Sequence, residues 1–210
     1  MKPFDLSLYL VLAPDLCRAH DLSQTVRLAV AGGATMIQLR DKTADRAALI
    51  RTGRALRDLL DGSGVRLIIN DDAVAAREIR ADGLHIGQDD LSPAAARAII
   101  GRKMILGQSV ESPEAMARLD PSFVDYAGVG PVFATLSKPD HKPPIGFDGL
   151  ARIIAQSPVP VVAIGGLKPD HVARALSAGA AGIAVVSAIC GQPDPQAATR
   201  ALRDRIEAAR

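Results

Sequence analysis

The stretch Leu67-Ile68-Ile69-Asn70-Asp71-Asp72 decides how the chain is read. Its three apolar residues suit a strand buried on both faces, as strands of parallel sheets are. The run passes without a break into an amide and two carboxylates. The same transition recurs along the sequence. Seven further short apolar runs, at 8–12, 35–39, 83–86, 104–107, 123–129, 159–164 and 182–186, accompany the one at 65–69. A helical pattern follows each, in order at 22–31, 46–60, 73–79, 93–100, 113–119, 149–155, 169–178 and 195–209. Boundary residues support the division. Pro93, Pro113 and Pro169 stand where first helical turns begin, with Ser92, Ser112 and Lys168 before them. Gly32-Gly33 and Ala178-Gly179 read as helix stops.

Strands that alternate with helices imply right-handed crossovers and a parallel sheet. Eight such units predict an α/β fold, a (β/α)₈ TIM barrel, which typically takes roughly 250 residues. The competing architecture is an open doubly wound sheet. No G-x-G-x-x-G follows the first apolar run, and the count of units is eight, so the barrel is preferred. No linker-like stretch divides the 210 residues, and a single domain over 1–210 is expected.

Composition narrows the function. The chain is 48% hydrophobic and 23% charged, with 3% aromatic residues and no Trp. Its core must therefore be built from Ala, Val, Leu and Ile. A net charge of +2, with no Lys/Arg block, argues against a nucleic-acid partner. Cys17 and Cys190 lie far apart in sequence and have no metal-ligand spacing; reduced thiols are expected. The apolar run at 6–13 is too short to span a bilayer and lacks the flanks of a signal peptide. A cytoplasmic protein acting on small molecules is expected, with no membrane partner and a homodimer as the assembly left open.

In such barrels the active site lies at the C-terminal ends of the strands. Strand 2 ends in Gln38-Leu39-Arg40-Asp41-Lys42, strand 3 in Asn70-Asp71-Asp72, and strand 4 in His85-Ile86-Gly87-Gln88-Asp89-Asp90. Strand 5 ends in Gly107-Gln108-Ser109, strand 6 in Gly128-Val129-Gly130-Pro131, strand 7 in Gly165-Gly166 and strand 8 in Val186-Ser187. Any one of the aspartates is as easily a helix N-cap as a ligand. Acidic pairs on neighbouring strand ends are harder to explain that way, because converging carboxylates repel unless a cation lies between them. Mg²⁺ takes one or two carboxylates, waters and substrate phosphate oxygens. Asp71 and Asp90 suit that role, leaving Asp72 and Asp89 as caps or supporting groups.

Arg40 and Lys42 are alternate residues, so they point the same way and can clamp phosphate oxygens. Gly165-Gly166 and Val186-Ser187 occupy the usual phosphate position of this barrel, after strands 7 and 8, although a tight turn would also need glycine. Residues 131–147 form a long irregular loop with Thr135, Ser137 and Lys138, of the kind that serves as a lid. His20, His85, His141 and His171 do not cluster, and His85 reads as a packed, hydrogen-bonded residue. The residues alone thus describe a barrel for Mg²⁺, a diphosphate-like group and a separate phosphate. Transfer between two phosphorylated small molecules follows.

These motifs, in this order and at these strand ends, closely resemble the thiamine phosphate synthase family. Thr135-Leu136-Ser137-Lys138, Gly128-Val129-Gly130-Pro131-Val132-Phe133 and Ala163-Ile164-Gly165-Gly166 belong to the set, and the likeness runs from about Tyr9 to Ile189. The resemblance implies transfer of a 4-amino-2-methylpyrimidin-5-ylmethyl group from its diphosphate to thiazole phosphate, giving thiamine phosphate and diphosphate. It also implies a dissociative mechanism, with the carboxylated thiazole phosphate tautomer as the physiological acceptor. By the same resemblance, Gln38, Leu39, Arg40, Asp41, Lys42, Asn70, Ser109 and Lys138 would hold the pyrimidine diphosphate. Of these, Arg40, Lys42, Ser109 and Lys138 would be catalytic. Thr135, Leu136, Ser137, Gly166, Val186 and Ser187 would hold thiazole phosphate, and Asp71 and Asp90 would hold Mg²⁺. Glu111 stands where many members have His, and Ala134 where many have Pro. A thiazole tautomerase of the same superfamily is the main alternative, but it needs no diphosphate set, and Glu111 replaces a histidine near its active position. A non-catalytic phosphate-binding barrel is the third reading; its metal pair should be incomplete.

Overall fold

The computed structural model describes residues 4–17, 19–138 and 141–210. Eight parallel strands close on themselves in sequence order. They are β1 (Leu8–Leu12), β2 (Met36–Leu39), β3 (Arg66–Asn70), β4 (Gly83–Ile86), β5 (Ile105–Val110), β6 (Tyr126–Val129), β7 (Val161–Ile164) and β8 (Gly182–Val185). The helices between and after them are α1 (Leu22–Gly32), α2 (Arg46–Leu60), α3 (Ala73–Ile79), α4 (Pro93–Ile100), α5 (Pro113–Ala117), α6 (Gly146–Ile154), α7 (Val172–Ser177) and α8 (Pro195–Ala208). The (β/α)₈ barrel expected from the eight repeats is the fold. No described helix is long and apolar enough to cross a membrane.

Local chemistry sets most helix starts. Asp21, Asp45, Asp72, Ser92, Ser112 and Asp194 each accept a hydrogen bond from the backbone N–H three residues on, capping six helices. Lys168 has no side-chain acceptor to offer. The helix expected over 169–178 accordingly begins as a single 3₁₀ turn, Pro169–His171, and becomes α-helical only from Val172. The sixth strand starts at Tyr126 rather than 123, because the N–H groups of Phe123 and Val124 are drawn into a turn on the Asp120 carbonyl. In contrast, α6 begins three residues earlier than the apolar pattern indicates. Ile145 and Gly146 donate to the carbonyls of Pro131 and Val132, and those bonds bring the chain back onto the barrel.

The strands alternate, so successive side chains face the helices and the barrel axis. Outward residues such as Leu8, Leu10, Ile37, Ile69 and Leu106 join the helices in one large apolar layer. Inward residues form a second cluster around Tyr9, Val11, Met36, Ile68, Ile105, Tyr126 and Val162. This inner cluster fills the N-terminal half of the barrel. Above it the inward positions turn polar: Gln38, Asn70, His85 and Ser109.

Candidate active site

A cavity of about 530 Å³ opens where these polar positions reach the C-terminal rim. That size suits drug-sized organic ligands. Gln38, Arg40, Lys42, Asn70, Asp71, Asp90, Ser109 and Lys138 line it, as do Thr135, Ser137, Gly166, Val186 and Ser187. Three residues of the expected set do not. Leu39 is fully buried in the outer apolar layer, because it falls on the helix-facing side of β2. Asp41 turns back on its own loop, where Oδ1 accepts from the N–H groups of Thr43 and Ala44 at 3.0 Å each. Leu136 is 97% exposed and is not among the residues that line the cavity.

The acidic pair is the electrostatic centre of one side. Asp71 follows the last residue of β3 and adopts φ +64°, left-handed backbone that is uncommon outside glycine. Its N–H donates to the His85 carbonyl at 2.8 Å, which holds this conformation in place. The Asp71 and Asp90 carboxylates lie within hydrogen-bonding reach of each other. Burial pushes the Asp71 carboxyl up, and its contact with Asp90 adds to this against the pull of Lys42. Burial acts on Asp90 in the same sense. It is outweighed by the hydrogen bond from Asp71, the Gly87 N–H at 2.7 Å and the nearby Lys42 charge, which hold Asp90 low. Two carboxylates this close repel when both are charged. Their hard oxygen donors and apposed charges fit a divalent cation between them. Among the described residues no group of three or more His, Cys, Asp or Glu is placed to hold a metal, so other ligands would come from water and substrate.

One cation pairs with this acidic site directly. Lys42 Nζ donates to Asp71 Oδ2. Lys138, from the loop after β6, lies 3.8 Å from Glu111 Oε1. Glu111 also lines the cavity, a position that its place two residues past Ser109 already put on the rim. Asp72 does not share this role: it caps α3 and pairs with Arg46 Nε at 2.7 Å.

The opposite side is built from backbone. Gly165 and Gly166 have φ +100° and +63°, and both are pressed against the loop after β6. A Cβ on Gly165 would meet Pro131 Cα at 2.6 Å, and one on Gly166 would meet the Ala134 carbonyl at 2.7 Å. Glycine is thus required twice over, by conformation and by space. Val132 and Phe133 donate to the carbonyls of Ile164 and Gly165 at 2.9 and 3.0 Å, tying the long loop to β7. Farther out, Ser137 N–H donates to Thr135 Oγ1 and Thr135 N–H to His141 Nε2. Pro139 and Asp140 of this loop lie outside the described residues.

The floor holds residues that the apolar pattern concealed. Tyr9 and Tyr126 read as strand hydrophobics, yet their hydroxyls meet at 2.9 Å inside the barrel. His85, packed and hydrogen-bonded as expected, bridges Tyr126 and Ser109 at 3.0 Å each. Burial lowers its imidazole to about 4, with Asp90 acting weakly the other way, so the ring is neutral at physiological pH. Cys17 and Cys190, remote in sequence, are free thiols brought into contact beside the loop after β8.

Comparison with known proteins agrees with this geometry. A family model described as thiamine monophosphate synthase matches residues 8–189. The thiamine-phosphate synthase of Xanthobacter autotrophicus is 51% identical over 209 residues, covering 100% of this chain and 99% of its own. That of Azorhizobium caulinodans is 48% identical over 208 residues, covering 99% and 98%. The solved structure of thiamine phosphate pyrophosphorylase from Pyrococcus furiosus superposes with a TM-score of 0.87 at 34% identity, covering 97% of this chain and 96% of that one. On the sequence match and the shared barrel, the chain belongs to the thiamine monophosphate synthase family.

Proposed function

We propose that this chain forms thiamine phosphate and diphosphate from 4-amino-2-methylpyrimidin-5-ylmethyl diphosphate and thiazole phosphate. One observation carries the reading. A single cavity is lined by the carboxylate pair, by Arg40, Lys42 and Lys138, and by Gly165, Gly166, Val186 and Ser187 after β7 and β8. Two anionic substrates can therefore meet in it, one at each end.

Arg40, Lys42, Asn70 and Lys138 hold the diphosphate, and Gln38 and Ser109 the pyrimidine. Thr135, Ser137, Gly166, Val186 and Ser187 take the thiazole phosphate, or its carboxylated tautomer as the physiological acceptor. The methylene–oxygen bond breaks first and its electron pair leaves with diphosphate. The thiazole nitrogen then donates its lone pair to the pyrimidine methylene, forming the new C–N bond. With the carboxylated acceptor, the carboxyl group departs as CO₂. The barrier is charge separation, so fixed charges aimed at the departing oxygens are what catalysis needs. Lys42, which pairs with Asp71 beside the cavity, supplies one of these charges. Asp71 and Asp90 would hold Mg²⁺, which when bound would supply positive charge to the leaving group. No residue is required as a general base. A tautomerase would use only the thiazole end and would leave the carboxylate pair and its cations without a task.

The test mixes pure protein with both substrates, with and without Mg²⁺, and measures diphosphate and thiamine phosphate together. Equimolar, Mg²⁺-dependent appearance of both is expected. Absence of thiamine phosphate under these conditions sinks the reading.

A further inference from the structure

Five polar side chains from five strands are joined end to end across the floor of the cavity. Gln38 Nε2 donates to the Tyr9 hydroxyl at 2.8 Å. The Tyr9 and Tyr126 hydroxyls are 2.9 Å apart. The Tyr126 hydroxyl is 3.0 Å from His85 Nδ1, and His85 Nε2 is 3.0 Å from Ser109 Oγ. Both tyrosines are essentially without solvent exposure. The barrel makes room for them deliberately: a Cβ on Gly107 would lie 2.1 Å from the Tyr126 ring, and one on Gly128 would lie 3.2 Å from His85.

A chain of this kind has two polarities, because each hydroxyl and the neutral imidazole own one proton apiece. Gln38 selects between them. Tyr9 accepts from Gln38, so its own hydrogen goes to Tyr126. Tyr126 then gives its hydrogen to His85 Nδ1. The imidazole proton must sit on Nε2, where it is donated to Ser109 Oγ. Ser109 is left with its hydroxyl hydrogen unspent, and Gln38 with its carbonyl oxygen. Both residues line the cavity. The floor thus presents one donor and one acceptor at fixed places. A heterocycle that carries a ring nitrogen and an exocyclic amine, such as an aminopyrimidine, offers the complementary acceptor and donor.

We propose that Tyr9 and Tyr126 are positioning residues for pyrimidine selection: they fix the tautomer of His85 and so commit Ser109 as a donor and Gln38 as an acceptor toward the substrate. The proposal rests on the synthase reading for the identity of the ligand, but the polarity of the chain is a property of the protein alone. A site whose polar groups are fixed in this way discriminates strongly against a ligand with the donor and acceptor exchanged.

The experiment has two arms. In the first, ¹⁵N NMR of the ligand-free, histidine-labelled protein reads the tautomer of His85, whose signals are identified by their loss in His85→Gln. The Nε2–H form is expected. The Nδ1–H form overturns the proposal, since it runs the chain backwards and makes Ser109 an acceptor. In the second arm, Tyr126→Phe and Tyr9→Phe are assayed with each substrate varied. The KM for pyrimidine diphosphate should rise about tenfold in both, about the worth of one hydrogen bond, while the KM for thiazole phosphate stays within twofold. Preference for the amino substrate over its 4-oxo analogue should fall about tenfold as well. Equal rises in both KM values, or an unchanged preference, overturn the proposal. If Tyr126→Phe does not fold, the wild-type tautomer and Tyr9→Phe still decide it. A wild-type protein that forms no thiamine phosphate instead defeats the synthase reading, and the pyrimidine assignment with it; the NMR arm reports on polarity regardless.

Discussion

Asp71 shows how much one residue is made to carry. It sits in left-handed backbone, is half-buried, faces a second carboxylate and pairs with Lys42. Local strain held by the surrounding structure is common at functional positions. Asp71→Asn keeps the shape and removes the charge. Turnover at limiting Mg²⁺ should drop by at least about 10², the scale of losing one preorganised electrostatic group. Thiazole phosphate binding, measured by calorimetry, should be nearly unchanged; equal loss of both would count against the metal role. His85 gives a second prediction. Its ordinary value of 6.5 falls to about 4 in the fold, through burial. Between these pH values the unfolded chain binds a proton that the folded chain refuses. Stability therefore falls as pH drops through this window, by about 3 kcal/mol at its lower end. The acid limb of a urea-denaturation series should be less steep in His85→Gln than in the wild type. The sequence made the acidic pair legible, since Asp71 and Asp90 end neighbouring strands. It did not reveal the floor, because tyrosine in a strand looks the same whether its hydroxyl meets water or a partner.

At the scale of elements, the repeats were read from two signals that agree: apolar runs without alternation, and capping residues ahead of helices. The bounds of α2, α3, β4 and α4 follow from these alone. Asp72 is the clearest case of a cap among candidate ligands. It accepts from Ala75 N–H at 2.9 Å and also pairs with Arg46. Asp72→Ala should cost about 1 kcal/mol in chemical denaturation, the usual worth of a cap, and leave the KM values within twofold. The limits were set where tertiary bonds override local pattern. α6 starts early because Pro131 and Val132 receive its first N–H groups, and residues 131 and 145 are neighbours only in space. Spacing within strands was also partly hidden. Gly107 reads as a rim glycine, but its role is to admit the Tyr126 ring from the next strand. Gly107→Ala should destabilise the barrel by about 1–3 kcal/mol, the range for overpacking, and raise the KM for pyrimidine diphosphate at the same time.

For the whole molecule, a net charge of +2 says little about the cavity, where Arg40, Lys42, Lys138 and Lys142 stand among Asp71, Asp89, Asp90 and Glu111. An anion drawn to those cations is held less tightly as salt rises. The KM for pyrimidine diphosphate should rise severalfold between about 0.05 and 0.5 M NaCl, in the direction that screening requires. The KM for thiazole phosphate should respond less, because in the proposed site its phosphate would meet mainly backbone and hydroxyl groups. Equal salt dependence would place the cations differently.

By itself the sequence determined the barrel and its direction. Eight strand–helix repeats without a G-x-G-x-x-G after the first strand favour a closed barrel over an open sheet, and the C-terminal rim then collects whatever polar residues the strands end in. It likewise determined which cations and carboxylates stand on that rim, since position along a strand fixes height in the barrel. Only the tertiary structure decided which rim residues converge. A strand's alternation sent Leu39 outward and Gln38 inward, and turn hydrogen bonds withdrew Asp41. Only it showed the chain from Gln38 to Ser109, for a hydrogen bond between strands β1 and β6 depends on closure. The physical reason is one of range. Burial and capping act over a few residues and leave their mark in composition, whereas the placement of a proton among five side chains depends on distances that exist only once the barrel is closed.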